Sequence, residues 1–445
     1  MDPLLPIIVL SIVLASVIAF LILGNYFRNQ KSEVESLSKA EIHSENNGNK
    51  KSKQSQQQRS VSKKSNSKHH HHSHSSDKDQ GKKHHPLELN TLKGHGDSIG
   101  GFCFSSDGRN LATACADGVV RVFKLDDASN KGFKFLRINL PAGNDPTGVA
   151  FLHDGSSVVV ATQTLLGSAL YMYGEEEAKH DSENQQQFKL PLPEIKWEQQ
   201  KAHDQLEIRY LCGATASYGS ADGSSIIVSC SVGTDIKVWH GRTGKLLGTI
   251  DSNQLKNHMA TISQNGRFIA AAAFTADVKV WEIVYSKDGS VKEIVKVMQL
   301  KGHKSAVTWL CFTPNSEQVI TASKDGTLKV WNINVRYHLD EDPKILKSFL
   351  LPLHDSSGAT LHYDRLSISP DGKILAATHG STLLWLSVDF GEVLETADKA
   401  HDEDITCIAW APRSIPVGNR QSLILATAGV DKKVKFWLPP PVRSS

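Results

Sequence analysis

The sequence predicts an all-β fold, a seven-bladed β-propeller preceded by one N-terminal transmembrane helix and a disordered linker. Three observations carry that prediction. Residues 301–331, KGHKSAVTWLCFTPNSEQVITASKDGTLKVW, open on Gly302-His303, turn at Lys324-Asp325-Gly326 and close on Val330-Trp331. The pattern recurs from Gly94-His95 through Asp117-Gly118 to Val122-Phe123, and from Ala400-His401 through Asp431 to Phe436-Trp437. In each copy the aspartate lies six residues before the closing aromatic and a threonine ten before it. Second, seven closing aromatics can be counted along the chain: Phe123, Tyr173, Trp239, Trp281, Trp331, Trp385 and Trp437. Third, one strand is spare at the start of the repeats (Leu87 to Leu92), and the last blade lacks its fourth. Pairing these two ends closes a ring and removes two open sheet edges.

The spacing has a physical reason. Within Thr327-Leu328-Lys329-Val330-Trp331 the pleat sets Leu328 and Val330 on one face and Trp331 on the other. The neighbouring threonine, the turn aspartate and the loop histidine then reach the indole N–H through a chain of hydrogen bonds, so polar groups are buried without being left unpaired. His303, Thr321, Asp325 and Trp331 form one complete set; His401, Thr427, Asp431 and Trp437 form another. His95, Thr113 and Asp117 lack the indole, because Phe123 takes its place. In the third and fourth blades Asp235 and Asp277 stand four residues before the tryptophan, so their sets are expected to be incomplete. The same residue types also build nucleophilic triads. Recurrence in separate blades at identical offsets favours a repeated structural device over a catalytic centre.

Composition narrows the function classes. Hydrophobic residues make up 39% and charged residues 22%, which is ordinary for a globular chain. The net charge of +3 is uneven. Residues 31–86 hold twelve Lys and Arg against six Asp and Glu, a net +6, and residues 1–30 balance. The remainder, 87–445, therefore carries −3. A general nucleic-acid footprint on the propeller is not supported, and any such attraction belongs to the linker. The six cysteines (Cys103, Cys115, Cys212, Cys230, Cys311 and Cys407) show no C-x-x-C pair, so free thiols in a reducing compartment are expected. No N-x-S/T sequon occurs, and P-loop, G-x-S-x-G and H-E-x-x-H motifs are absent. Gly241-Arg242-Thr243-Gly244-Lys245 reads as a turn after Trp239. We therefore expect no enzymatic activity, no cofactor and no metal.

After a short N-terminus (1–3), residues 4–23 run LLPIIVLSIVLASVIAFLIL without a charge, enough for a bilayer-spanning helix. A cleaved signal peptide calls for a basic leader and a shorter apolar core; only Met1-Asp2-Pro3 precede this run, so an uncleaved anchor is favoured. Arg28, Lys31 and Lys39 follow the span, which orients everything after residue 24 to the cytosol. Residues 24–86 form the basic, His-rich linker, too poor in apolar side chains to fold. Seven Lys and Arg fall between Lys50 and Lys68 with no acid among them, which suits either a solvated tether or an arm for anionic head groups or RNA phosphates. His69 to His72 read as a low-complexity tract rather than a metal site. The propeller spans 87–438, interrupted by an acidic insertion (174–194) and by RYHLDEDP (336–343), and a proline-rich tail (439–445) ends the chain.

The GH-to-Trp units resemble WD repeats, and the stretch 249–283, especially NQLKNH and GRFIAAAAFTADVKVWEI, resembles the transducin beta-like 2 family. That resemblance implies a scaffold at the endoplasmic-reticulum membrane, with an ER-resident eIF2α kinase and the translation machinery as partners. It carries no binding residue across, because the shared motifs are those that build blades. Animal members extend further after the last blade, so the role of that tail is not carried over either. Two alternatives remain: an RNA- or ribosome-associated tether using the basic linker, and a lumenal or secreted propeller.

Overall fold

A computed structural model describes residues 84–441, apart from 175–192, 205, 216–224, 253–254, 352–357 and 359–360. The apolar span 4–23, the linker as far as residue 83, the bulk of the acidic insertion and the last four residues lie outside the described residues. Among the described residues no helix is long and apolar enough to cross a membrane.

Among the described residues, seven four-stranded antiparallel sheets form the blades. Their innermost strands are Ile99–Phe104, Asp145–Phe151, Ile208–Thr215, Asn257–Ile262, Val307–Phe312, Arg365–Ile368 and Ile405–Trp410. Each packs against the innermost strand of the next blade, and the seventh returns to the first. Side chains bind these joints. The Thr308 hydroxyl donates to the Tyr363 carbonyl at 2.7 Å, Arg365 Nε to the Thr406 carbonyl at 3.1 Å, and the Thr406 hydroxyl to the Ile99 carbonyl at 2.6 Å.

The ring closes as the sequence implies. Strand Glu88–Leu92 pairs antiparallel with Val434–Trp437, so the first strand of the repeat region becomes the outer strand of the last blade. Lys435 Nζ meets Glu88 Oε2 at 3.1 Å across that seam, and Leu92 is buried beneath it.

Turns between the first two strands repeat one chemistry. Ser105, Ser263, Thr313 and Ser369 each donate a hydroxyl hydrogen bond to an Asp or Asn two residues on (Asp107, Asn265, Asn315 or Asp371). This side-chain turn fixes the hairpin locally. The core lies between blades, where both faces of the middle strands are covered. Phe268-Ile269-Ala270-Ala271-Ala272-Ala273 is buried throughout, with alanines keeping that blade thin enough for its neighbours to pack. The short RYHLDEDP excursion contains the 3-10 turn Tyr337–Leu339, anchored where Arg267 Nη2 donates to Tyr337 Oη at 2.8 Å.

Candidate functional site

Two features compete for a functional role: the buried histidine sets inside the blades, and the channel that the seven innermost strands enclose.

In the fifth blade Trp331 Nε1–H donates to Thr321 Oγ1 at 2.8 Å. Thr321 Oγ1 lies 2.7 Å from His303 Nε2, and His303 Nδ1 lies 3.0 Å from Asp325 Oδ2. One neutral tautomer satisfies every atom: the threonine hydroxyl donates to Nε2, and Nδ1–H donates to the carboxylate. The seventh blade repeats this with Trp437, Thr427, His401 and Asp431 at 2.8, 2.7 and 2.9 Å. Gly429 is required beneath it, since a Cβ there would stand 2.9 Å from His401 Nδ1 and 3.0 Å from Asp431 Oδ1. Burial lowers the His303 pKa, an effect that Asp325 partly offsets. Burial alone raises Asp325, but hydrogen bonds from Thr327, the Lys304 N–H and His303 bring it below the ordinary carboxylate value.

The third blade corrects the expectation from spacing. Its set is complete: Trp239 Nε1–H donates to Ser229 Oγ at 2.8 Å, and His203 bridges Ser229 and Asp235 at 2.6 Å on each side. A serine replaces the threonine, and the aspartate reaches the ring from the first position of its strand. A sequence signal for this existed. Lys201-Ala202-His203-Asp204 repeats Lys399-Ala400-His401-Asp402, and in both blades the histidine lies 26 residues before the hydroxyl.

The first blade departs in the other direction. His95 Nε2 lies 3.0 Å from Thr113 Oγ1, but Asp117 does not join them. Arg121 takes that carboxylate in a bidentate pair at 3.0 and 2.7 Å, and the Gly96 N–H donates to it as well. A charge-assisted fork outcompetes a neutral imidazole, which leaves His95 Nδ1 buried without a partner. In the second blade the strand register puts Tyr171, not Tyr173, in the position that tryptophan holds elsewhere: Thr162 faces Ala169, two residues before it. Asn144, 18 residues before Thr162, accepts that hydroxyl at 2.8 Å, the same separation as His303 from Thr321. The fourth blade has Ala271 ten residues before Trp281 and so no hydroxyl there; Asp277 accepts from Gln299 instead, at 2.8 Å.

Burial, with the nearby Arg121 charge, lowers the His95 pKa to about 4 against partial opposition from Asp117. A histidine held neutral stabilises the fold fully above its unfolded pKa of 6.5, and that contribution drains away as pH falls towards about 4. The propeller is therefore expected to lose stability across that window, and His95→Asn is expected to flatten the loss. Chemical denaturation at successive pH values measures both; a wild-type profile that is flat there contradicts the assignment.

The channel is a cavity of about 800 Å³. In six blades the innermost strand carries a bulge near its start, and the residue left out of register is Gly100, Thr147, Arg209, His258, Thr308 or Thr406. The sixth blade begins its strand with Arg365. All seven line the cavity; at the six bulges the extra residue leaves the ladder and is turned towards it. They form a ring at the mouth on the face that carries the histidine loops. Pattern reading missed this ring, since a bulge leaves no mark in the hydrophobic alternation.

Comparison with known proteins follows the same lines. The family described as "WD domain, G-beta repeat" matches residues 87–124, 294–332 and 392–437. Transducin beta-like protein 2 of Homo sapiens is 30% identical over 334 residues, covering 73% of this chain and 67% of that protein. Its Mus musculus counterpart is 30% identical over 326 residues with the same coverage. Nuclear distribution protein nudF of Aspergillus niger is 24% identical over 234 residues, covering 47% of this chain and 46% of its own length. With its closed ring of WD-type blades and a match along most of its length, this chain belongs to the transducin beta-like protein 2 family of WD-repeat proteins.

Proposed function

We propose that the protein is a non-enzymatic, membrane-tethered scaffold whose propeller docks protein partners at the cytosolic face of the endoplasmic reticulum. One observation carries the non-enzymatic part. The three His–Asp–hydroxyl sets that imitate a catalytic triad keep their hydroxyls at 0% exposure (Ser229, Thr321 and Thr427), each bonded to an indole, so no substrate reaches them. A buried relay of this kind stiffens a blade. The tether rests on the charge-free run 4–23 and the basic residues that follow it. Partnership with an ER-resident eIF2α kinase and the translation machinery, as part of an ER-stress response, is the family expectation extended to this chain.

The full chain is expected to stay with membranes through alkaline carbonate extraction and to be released once residues 4–23 are deleted. Release of the intact chain by carbonate would remove the anchor from this account. A second reading, an RNA- or ribosome-binding linker, draws on the acid-free run of seven basic residues at 50–68. The two separate by salt. Partners held by the propeller remain on the chain as sodium chloride rises and when 50–68 are removed, whereas partners held by the linker leave in both cases.

A further inference from the structure

The ring at the channel mouth is not evenly charged. Arg209 and Arg365 stand on it, Lys324 sits in a neighbouring turn of the same face, and all three act electrostatically on His258. Among the described residues none of these three cations is ion-paired with a carboxylate. Arg365 donates hydrogen bonds to the carbonyls of Thr406 and Asp364. The Asp364 carboxylate is engaged elsewhere, with His362 at 3.5 Å, His379 at 3.6 Å and the Gly380 N–H at 2.8 Å.

Beside this cluster the same face is apolar. Leu165 and Leu166 form the tip of the second blade's hairpin and are 105% and 75% exposed. Leu206 and Leu255 precede the innermost strands of the third and fourth blades, and Phe274 follows the fourth blade's second strand; all three are exposed. These positions lie on the histidine-loop face because hairpin tips and strand entries alternate there around the ring. They span three consecutive blades, and Phe274 meets His258 with ring centroids 3.9 Å apart, joining the apolar arc to the cationic mouth. A run of exposed large apolar residues bordering unpaired cations marks an interaction surface.

We propose that this face binds an acidic peptide segment of a protein partner. Its carboxylates meet Arg209 and Arg365 at the channel mouth, and its apolar side chains lie on the leucine and Phe274 arc. The proposal rests on the platform reading above and gives it a site. Charge complementarity selects the occupant. A nucleic acid gains from open aromatic faces on which bases stack. Here the Phe274 ring is occupied by His258, and the Trp309 ring carries the Arg365 guanidinium at 4.5 Å. A bilayer presents a flat surface, whereas this mouth leads into a cavity that admits a side chain.

Fluorescence anisotropy on the full-length protein in detergent tests it. The probes are a short peptide alternating glutamate with leucine and phenylalanine, its lysine-for-glutamate counterpart, a uridylate oligonucleotide and phosphatidylserine vesicles. The acidic peptide is expected to bind and the basic one not. Arg209→Glu, at an exposed position, is expected to weaken binding by about tenfold or more without shifting thermal unfolding. Leu165→Ser with Leu166→Ser is expected to weaken it independently, also with unfolding unchanged. Equal binding of the two peptides, indifference to both variants, or preference for the oligonucleotide or vesicles overturns the proposal. Protein partners retained equally by wild-type and Arg209→Glu columns overturn this site and leave the platform standing. A wild-type column that retains none overturns both.

Discussion

Thr427→Val is expected to destabilise the propeller by roughly 2–5 kcal/mol, since it orphans two buried groups at once. The Thr427 hydroxyl is fully buried between Trp437 Nε1 at 2.8 Å and His401 Nε2 at 2.7 Å. Valine keeps the shape and removes both partners, so the indole N–H and the imidazole nitrogen face apolar atoms. The first blade supplies the control. Thr113 bonds His95 but no indole, because Phe123 stands where the tryptophan would be, so Thr113→Val is expected to cost about half as much. Urea unfolding of the two variants side by side decides between a structural relay and a catalytic trio. A relay predicts unequal losses of stability, with Thr427→Val the larger. A Thr427→Val protein as stable as wild type would remove the relay from the account.

Deleting residues 84–93 is expected to have the largest effect of any short deletion, because it reopens the ring. Glu88–Leu92 is the outer strand of the last blade, and its loss bares the edge of Val434–Trp437 and uncovers side chains packed under Leu92. An unpaired strand edge beside an apolar core is a template for association with other chains. The truncated protein is expected to aggregate or assemble beyond the wild-type state in light scattering. Leu92→Ala leaves the backbone seam intact and is expected to cost roughly 2–4 kcal/mol while preserving the wild-type assembly state. A truncated chain with wild-type scattering and unchanged unfolding would mean the seam does not hold the ring.

Much of this architecture was legible because blade construction repeats. The Asp-to-Trp spacing at Asp325–Trp331 and Asp431–Trp437 encodes a hairpin whose geometry leaves little choice, and the spare strand before Gly94-His95 had one open edge to fill. Legibility failed where one chemistry was reached by another backbone route. His203 uses a serine and an aspartate two residues nearer the tryptophan, so an offset search passes over it although Lys201-Ala202-His203-Asp204 repeats the seventh blade's opening. In the second blade Tyr171 and Tyr173 alternate on one strand, and only the register with Thr162 tells which closes the set. Arg121, four residues after Asp117, was visible as a competitor for that carboxylate, yet its preference over His95 depends on how the fork is aimed. The ring of bulged residues at the channel mouth arises from how seven strands converge and has no local signature.

The measurement that bears most directly on the whole account is membrane topology. The natural chain has no glycosylation sequon, so Val61→Asn with Lys63→Thr introduces a single one in the linker. Synthesis in the presence of microsomes, followed by protease, reads its location. The linker is expected to stay unglycosylated and the propeller to be digested from outside the vesicle, where cytosolic partners meet it. A glycosylated chain whose propeller is protected would contradict the orientation, and with it the reduced thiols and the cytosolic scaffold.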